Sequence, residues 1–291
     1  MDFIAFLFVW LFIHFFAILP MRIAYWFADV VFILIYYFPG YRKKIVFNNL
    51  KSSFPSKSAA ERKAIARKFY RNLADQIIES IKSYTMSHKE LKKRVYMTNH
   101  SIYQPYLAKN SDMIIVAGHY GSWELCAVSM CLQIPFTVVG VYMPIGNRFI
   151  EKLIKQKRSR SGMWLEPAKT IAENMDIIPF KPNAVVLVSD QSPANPKSGY
   201  WMPFLHHDTQ ITIGAERLAK RSGRPVLFVE VNKIKRGYYS VTLHMIADNP
   251  LDAPKYSITE KHVRLLEKII LKKPELWLWS HKRWKHKRPA D

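Results

Sequence analysis

An α/β fold, with a central mixed but largely parallel sheet flanked by helices, is predicted by two features of the sequence: short apolar runs rich in β-branched residues, and helical stretches that alternate with them. A third feature, an aromatic-rich apolar stretch at the start, predicts a transmembrane or membrane-embedded helix ahead of that fold. The 291 residues, 49% of them hydrophobic, supply one sizeable core and require no second one. Residues 1–40 are read as a membrane anchor with an interfacial helix, and residues 41–291 as a single domain.

The first segment, FIAFLFVWLFIHFFAIL from Phe3 to Leu19, is interrupted by His14 alone and reaches roughly 26 Å against a hydrocarbon core of about 30 Å. No basic stretch precedes it and no small-residue cleavage site follows, which argues against a cleaved signal peptide. Pro20 ends it. The second segment, MRIAYWFADVVFILIYYF, carries Arg22 and Asp29 and is expected to pack on the domain or lie in the interface. Arg42, Lys43 and Lys44 come directly after it and favour a cytoplasmic side for the domain behind them. Ser58 to Tyr84 has helical spacing, with Ala64, Ile65, Phe69, Leu73, Ile77 and Ile81 on one stripe and Ser58 as a cap ahead of Glu61. Buried strands are expected over Met113 to Ala117, Phe136 to Tyr142, Ala184 to Ser189 and Pro225 to Val231. Helices are expected over Trp123 to Leu132, Asn147 to Arg158, Ile213 to Arg221 and Ile258 to Lys272, with an antiparallel strand near Tyr238 to Met245.

The formal charge of +22 calls for an anionic partner. Nearly all of it lies after Gly40, behind the apolar lead, so an anionic membrane surface explains it better than nucleic acid. Cys126 and Cys131, five apart on a helix, are too far apart for unstrained bridging and are read as packing residues.

The chemistry concentrates in MIIVAGHYGSWELCAV, where a strand ends at Ala117 and a turn from Gly118 to Ser122 exposes His119. On a continuous helix His119 and Glu124 would point about 140° apart, so contact requires His119 in the loop and Glu124 in the first helical turn. Gly118 and Gly121 permit that bend. A neutral His119 could then take the proton of a hydroxyl nucleophile while Glu124 orients the ring and stabilises the imidazolium.

GHYGSWE is similar to the His-x4-Asp/Glu signature of the lysophospholipid and glycerolipid acyltransferases. The whole chain resembles the lipid A biosynthesis lauroyl/myristoyl acyltransferase family, from LPMRIAYWFADVVFILIYY through YRKKIVFNNLKSSFP, KRSRSG, VSDQSP and WMPFLHHDTQITIGAERLAKRSGRPV to LWLWSHKRWKHKRP. The resemblance implies a glycerolipid acyltransferase-like fold, with residues 41–291 as the acyltransferase domain. It implies His119 as general base and Glu124 as its charge-orienting acid. It also implies functional roles for Arg158 and Asp190, with Arg158 and Arg160 as candidates for binding a phosphate or an oxyanion. An acyl carrier protein is the implied donor partner, with acyl-CoA as the alternative donor, a lipid A precursor the implied acceptor, and the cell inner membrane the implied location. Another bacterial lipid, such as an aminolipid or lysophospholipid, is the alternative acceptor. A membrane-tethered basic binding protein without catalysis is the reading from a different class.

The chain departs from the family pattern where Ser192 and Pro193 follow the Asp190–Gln191 pair, and where WMPFLHHD replaces a doubled-aromatic loop. His206, His207 and Asp208 are adjacent and do not have zinc spacing, so no metal and no cofactor are expected. The terminal mixture of Trp277, Trp279 and Trp284 with Lys282, Arg283 and Lys285 is read as an interfacial or acyl-chain-adjacent surface.

Overall fold

The computed structural model describes residues 2–38, 40–193, 195 and 199–288. Two apolar helices, α1 (Asp2–Ile18) and α2 (Met21–Tyr37), are followed by α3 (Lys43–Ser53) and the long α4 (Ala59–Ser83). Ser58 and Glu61 close a reciprocal capping box at the start of α4, as their spacing predicts. The buried face of α4 is turned from the expected stripe: Tyr70, Ala74 and Ile78 are buried with Phe69 and Leu73, while Ile77 is exposed. The cause is polar, because α4 also buries Asp75, Glu79 and Lys82 against partners from α1, α2 and the sheet.

The chain then forms α5 (His88–Arg94), β1 (Val95–Met97) and α6 (Gln104–Ala108), and continues through β2 (Met113–Ala117) and α7 (Trp123–Met130). Next come β3 (Thr137–Tyr142), α8 (Arg148–Ser159), β4 (Trp164–Pro167), α9 (Ile171–Asn174) and β5 (Asn183–Val188). A hairpin of β6 (Tyr200–Phe204) and β7 (His207–Ile211) precedes α10 (Gly214–Ser222), β8 (Val226–Lys235), β9 (Tyr238–Ala247) and α11 (Ser257–Lys272).

Seven strands form one sheet in the order β1-β9-β8-β2-β5-β3-β4, parallel except for the β8–β9 pair. The predicted mixed, largely parallel sheet is therefore present. Its centre, β2 and β5, is buried along most of its length, which is why MIIVA and NAVVLV read as continuous apolar runs.

Among the described residues no helix is long and apolar enough to cross a membrane, so a spanning anchor finds no support in the fold. The second segment packs on the domain, as expected: α2 buries Ala24, Ala28, Phe32 and Tyr36, four apart, along α4.

Candidate active site

β2 and β5 are parallel neighbours in register, with Ala117 opposite Val188, and the Ser189 amide continues the ladder onto the Ala117 carbonyl at 3.0 Å. Two residues past that pair on each strand stand His119 and Asp190, side by side at the carboxyl edge of the sheet. Asp190 Oδ1 accepts from His119 Nδ1 at 2.6 Å, and Oδ2 accepts from the His119 backbone amide at 2.9 Å and from Trp277 Nε1 at 2.8 Å. A carboxylate can only accept, so the ring proton sits on Nδ1 and Nε2 carries the lone pair. Gln191 Nε2 donates to that nitrogen at 3.2 Å.

The electrostatics agree with a polarised pair. Burial pulls the His119 ring down, but the Asp190 charge and hydrogen bond more than offset it and leave the ring above its ordinary value. Burial pushes the Asp190 carboxyl up, and the His119 charge and hydrogen bonds, with those from Trp277 and the His119 amide, bring it below the usual carboxylate range.

The glycines make the turn possible. A Cβ on Gly118 would lie 2.8 Å from Leu266 Cδ1 of α11 and 3.4 Å from Asp190 Oδ2, and Gly121 sits at φ +61° with Val231 Cγ1 2.9 Å from where its Cβ would be.

Glu124 lies in the first turn of α7, as the spacing requires, but the carboxylate on the His119 ring is that of Asp190. Glu124 instead takes a bidentate ion pair from Arg158 of α8, with Nε to Oε1 at 2.6 Å and Nη2 to Oε2 at 2.8 Å, and accepts from Tyr84 Oη at 3.2 Å. The orienting contact expected of Glu124 thus belongs to Asp190, because strand register brings the ends of β2 and β5 together. Trp123, one residue earlier, is the α7 side chain that meets the His119 ring, edge-on at 5.1 Å. Arg158 is committed to Glu124, and Arg160 donates to the carbonyls of Tyr84 at 3.0 Å and Met86 at 2.6 Å. Arg160 is thereby a brace on the segment after α4.

Two contributors were not legible as site residues. Gln191 directly follows Asp190, and only that adjacency could have flagged it. Trp277 belongs to the terminal aromatic and basic run, whose first two tryptophans are not a surface: Trp277 and Trp279 are 2% and 0% exposed, while Lys282 and Lys285 of the same run face out. The run folds back over the site through a Tyr120–Trp277 bridge, the Gly121 amide on the Leu276 carbonyl, and the Ser192 amide on His281 Nε2. His207 stacks on Trp284 at 4.1 Å, and among the described residues no three side chains are placed to hold a metal ion.

Behind the turn lies a narrow apolar cavity of about 60 Å³ between α7 and the sheet. Gly118, Tyr120 and Trp123 of the turn and the start of α7 line it, with Cys126, Ala127 and Met130 of α7. A larger cleft of about 680 Å³ runs between β6 and α11, and its lining contains neither His119 nor Asp190.

Residues 2–286 match the family model described as bacterial lipid A biosynthesis acyltransferase. The chain is 26% identical over 247 residues to a lipid A biosynthesis lauroyltransferase of Escherichia coli, covering 84% of this chain and 79% of that protein. It is 24% identical to a lipid A biosynthesis palmitoleoyltransferase of the same organism, with the same coverage. A lipid A biosynthesis acyltransferase of Haemophilus influenzae is 25% identical over 249 residues, covering 84% of this chain and 78% of its own.

Proposed function

The chain belongs to the bacterial lipid A biosynthesis acyltransferase family and is an acyltransferase, and we propose that it moves a fatty acyl group from an acyl-carrier-protein thioester to a hydroxyl of a lipid A precursor. This is a late secondary acylation, carried out at the cytoplasmic face of the cell inner membrane. His119 is the general base, Asp190 the carboxylate that orients it, and the Glu124–Arg158 pair the brace that holds the first turn of α7 beside it.

The observation that carries this reading is the His119–Asp190 pair, its basic Nε2 turned away from the carboxylate and its turn bordering an apolar cavity. The acceptor hydroxyl takes the place of the Gln191 amide at Nε2 and passes its proton there as its oxygen attacks the thioester carbonyl carbon. The imidazolium that forms is stabilised by Asp190. Collapse of the tetrahedral intermediate breaks the C–S bond, and the imidazolium returns the proton to the leaving thiolate. The displaced Gln191 amide would then donate to the oxyanion. No side-chain nucleophile is required, and the burial that raises both thiols, Cys131 to about 12, agrees with their packing role.

The cavity between α7 and the sheet would receive the acyl chain, opening as it fills. The net charge of +22 suits an acidic carrier protein as well as an anionic leaflet. The test is a mass spectrum of lipid A from the host with the gene removed and then restored. Loss of one acyl mass, recovered with the wild-type gene and not with His119→Ala, is expected. Unchanged lipid A with loss of another acylated lipid would move the acceptor to that lipid.

A further inference from the structure

We infer that α1 and α2 lie in the plane of the membrane surface and do not span it, with the catalytic edge of the sheet turned toward the lipid; the inference rests on the membrane association proposed above. Its basis is how α1 is fastened. At the start of the helix, Asn147, the cap of α8, donates to the Asp2 carbonyl at 2.8 Å, and Phe3 and Phe6 pack on the Phe149 ring at 5.8 and 5.9 Å. At the other end, the buried Lys82 ammonium donates to the carbonyls of Phe16, Ala17 and Leu19 at 2.8, 3.2 and 2.8 Å, capping the helix. Between these ends, Ile13 packs with Tyr84 of the segment after α4 and Leu153 of α8.

Both fastenings belong to the edge that carries His119. Asn147 follows β3 at its carboxyl end, and Tyr84, two residues after Lys82, reaches Glu124 in the first turn of α7. So α1 lies across that edge and does not project from it. Standing it upright in a bilayer would drag α8, with Arg148, Lys152 and Lys155, into hydrocarbon beside it.

The opposite face of α1 is apolar and uncovered, with Phe8 69% and Ile18 80% exposed and Ile4, Leu11 and Phe15 exposed along with them. α2 extends the face with Ile23, Trp26 and Leu34, and Met143 and Ile145 of the loop after β3 extend it along the same edge. Exposed cations stand at its corners: Arg22 in the first turn of α2, Lys44 beyond α2 and Arg148 beside the start of α1. An apolar face rimmed by cations fits one occupant, the headgroup and upper acyl region of an anionic leaflet. The acceptor lipid would then reach His119 laterally, without leaving the membrane.

The test uses the full chain on vesicles of phosphatidylethanolamine and phosphatidylglycerol. Spin labels are placed singly at Ile4→Cys, Leu11→Cys and Ile18→Cys, and their depths are read by power saturation with oxygen and a nickel chelate. The native thiols are raised by burial and react poorly with the label. The labels span about 21 Å of helix. Equal, shallow depths at all three are expected, and Phe8→Glu with Leu11→Glu should weaken vesicle binding by about tenfold or more. A deepest value at Leu11, with Ile4 and Ile18 on opposite sides, would overturn the in-plane arrangement. Absence of vesicle binding by the wild-type chain would overturn the membrane face itself. Acyl transfer in detergent micelles containing lipid A precursor, read in parallel, shows whether the enzymatic reading stands in either case.

Discussion

Replacing Asp190 with asparagine keeps the shape of the side chain and inverts one hydrogen bond. Oδ2 accepts from two donors, the His119 amide at 2.9 Å and Trp277 Nε1 at 2.8 Å, whereas Oδ1 meets only the His119 ring. The amide oxygen of the substituted side chain must therefore occupy the Oδ2 position, which turns its NH2 toward Nδ1. Nδ1 then accepts, the ring proton moves to Nε2, and the lone pair that takes the substrate proton is gone. A wrong-tautomer change of this kind lowers kcat by about 10⁴-fold in a well-studied hydrolase triad, equivalent to about 5 kcal/mol of barrier at 1.36 kcal/mol per decade. We expect a fall of about 10³- to 10⁴-fold in single-turnover acyl transfer, with acceptor KM changed little. The pH profile adds an independent sign. The Asp190 charge is what lifts His119 above its ordinary 6.5, so in the wild type the neutral base is present above that raised value and is lost as pH falls through it. In Asp190→Asn the charge is removed and the burial stays, so the acid limb of kcat/KM moves to lower pH. Activity within tenfold of wild type, or an acid limb that stays in place, would refute the assignment of Asp190.

Glu124→Gln should lower activity by leaving the Arg158 guanidinium without its anion, at about 2–3 kcal/mol of stability for this partly buried pair; because Glu124 does not touch the ring, the acid limb should stay where it is, and a shift matching that of Asp190→Asn would contradict the geometry. Gly121→Ala must place a side chain at φ +61° and against Val231, a combined penalty of about 2–4 kcal/mol. Thermal denaturation should show the melting temperature falling by about 4 °C or more, and an unchanged value would mean that the turn can relax. Ala127→Phe fills the cavity between α7 and the sheet, so competition between acyl donors of different length should tilt toward shorter chains, by about fourfold for each methylene that no longer fits. An unaltered chain-length preference would place the acyl chain elsewhere.

Much of the fold was legible in the sequence. The runs at Met113, Ala184 and Pro225 read as strands because they are short and rich in β-branched residues, which suits strands buried on both faces of a sheet. The capping box at Ser58 and Glu61 is local chemistry and was visible as such. The three-residue β1 and the four-residue β4 were not, since strands so short have no period to read, and the β6–β7 hairpin was not because Pro203 and the polar His207 to Gln210 carry no apolar strand pattern. His119 was found because a strand, a glycine turn and a helix follow one another along the chain. Its partner was not derivable from spacing: Asp190 is 71 residues away and meets the ring through the register of β2 and β5. Glu124, five residues away, is turned toward Arg158. The terminal tryptophans show the same limit, since their composition suits a membrane surface as well as a core and only packing against Asp190 and Tyr120 decides between them. The sequence by itself determined the longer helices, the central strands, the basic charge and the placing of His119 in a strand-to-helix turn, because these depend on local pattern and composition. Tertiary structure alone decided which carboxylate orients that histidine and how the apolar lead is held, because both depend on contacts between segments distant in the chain.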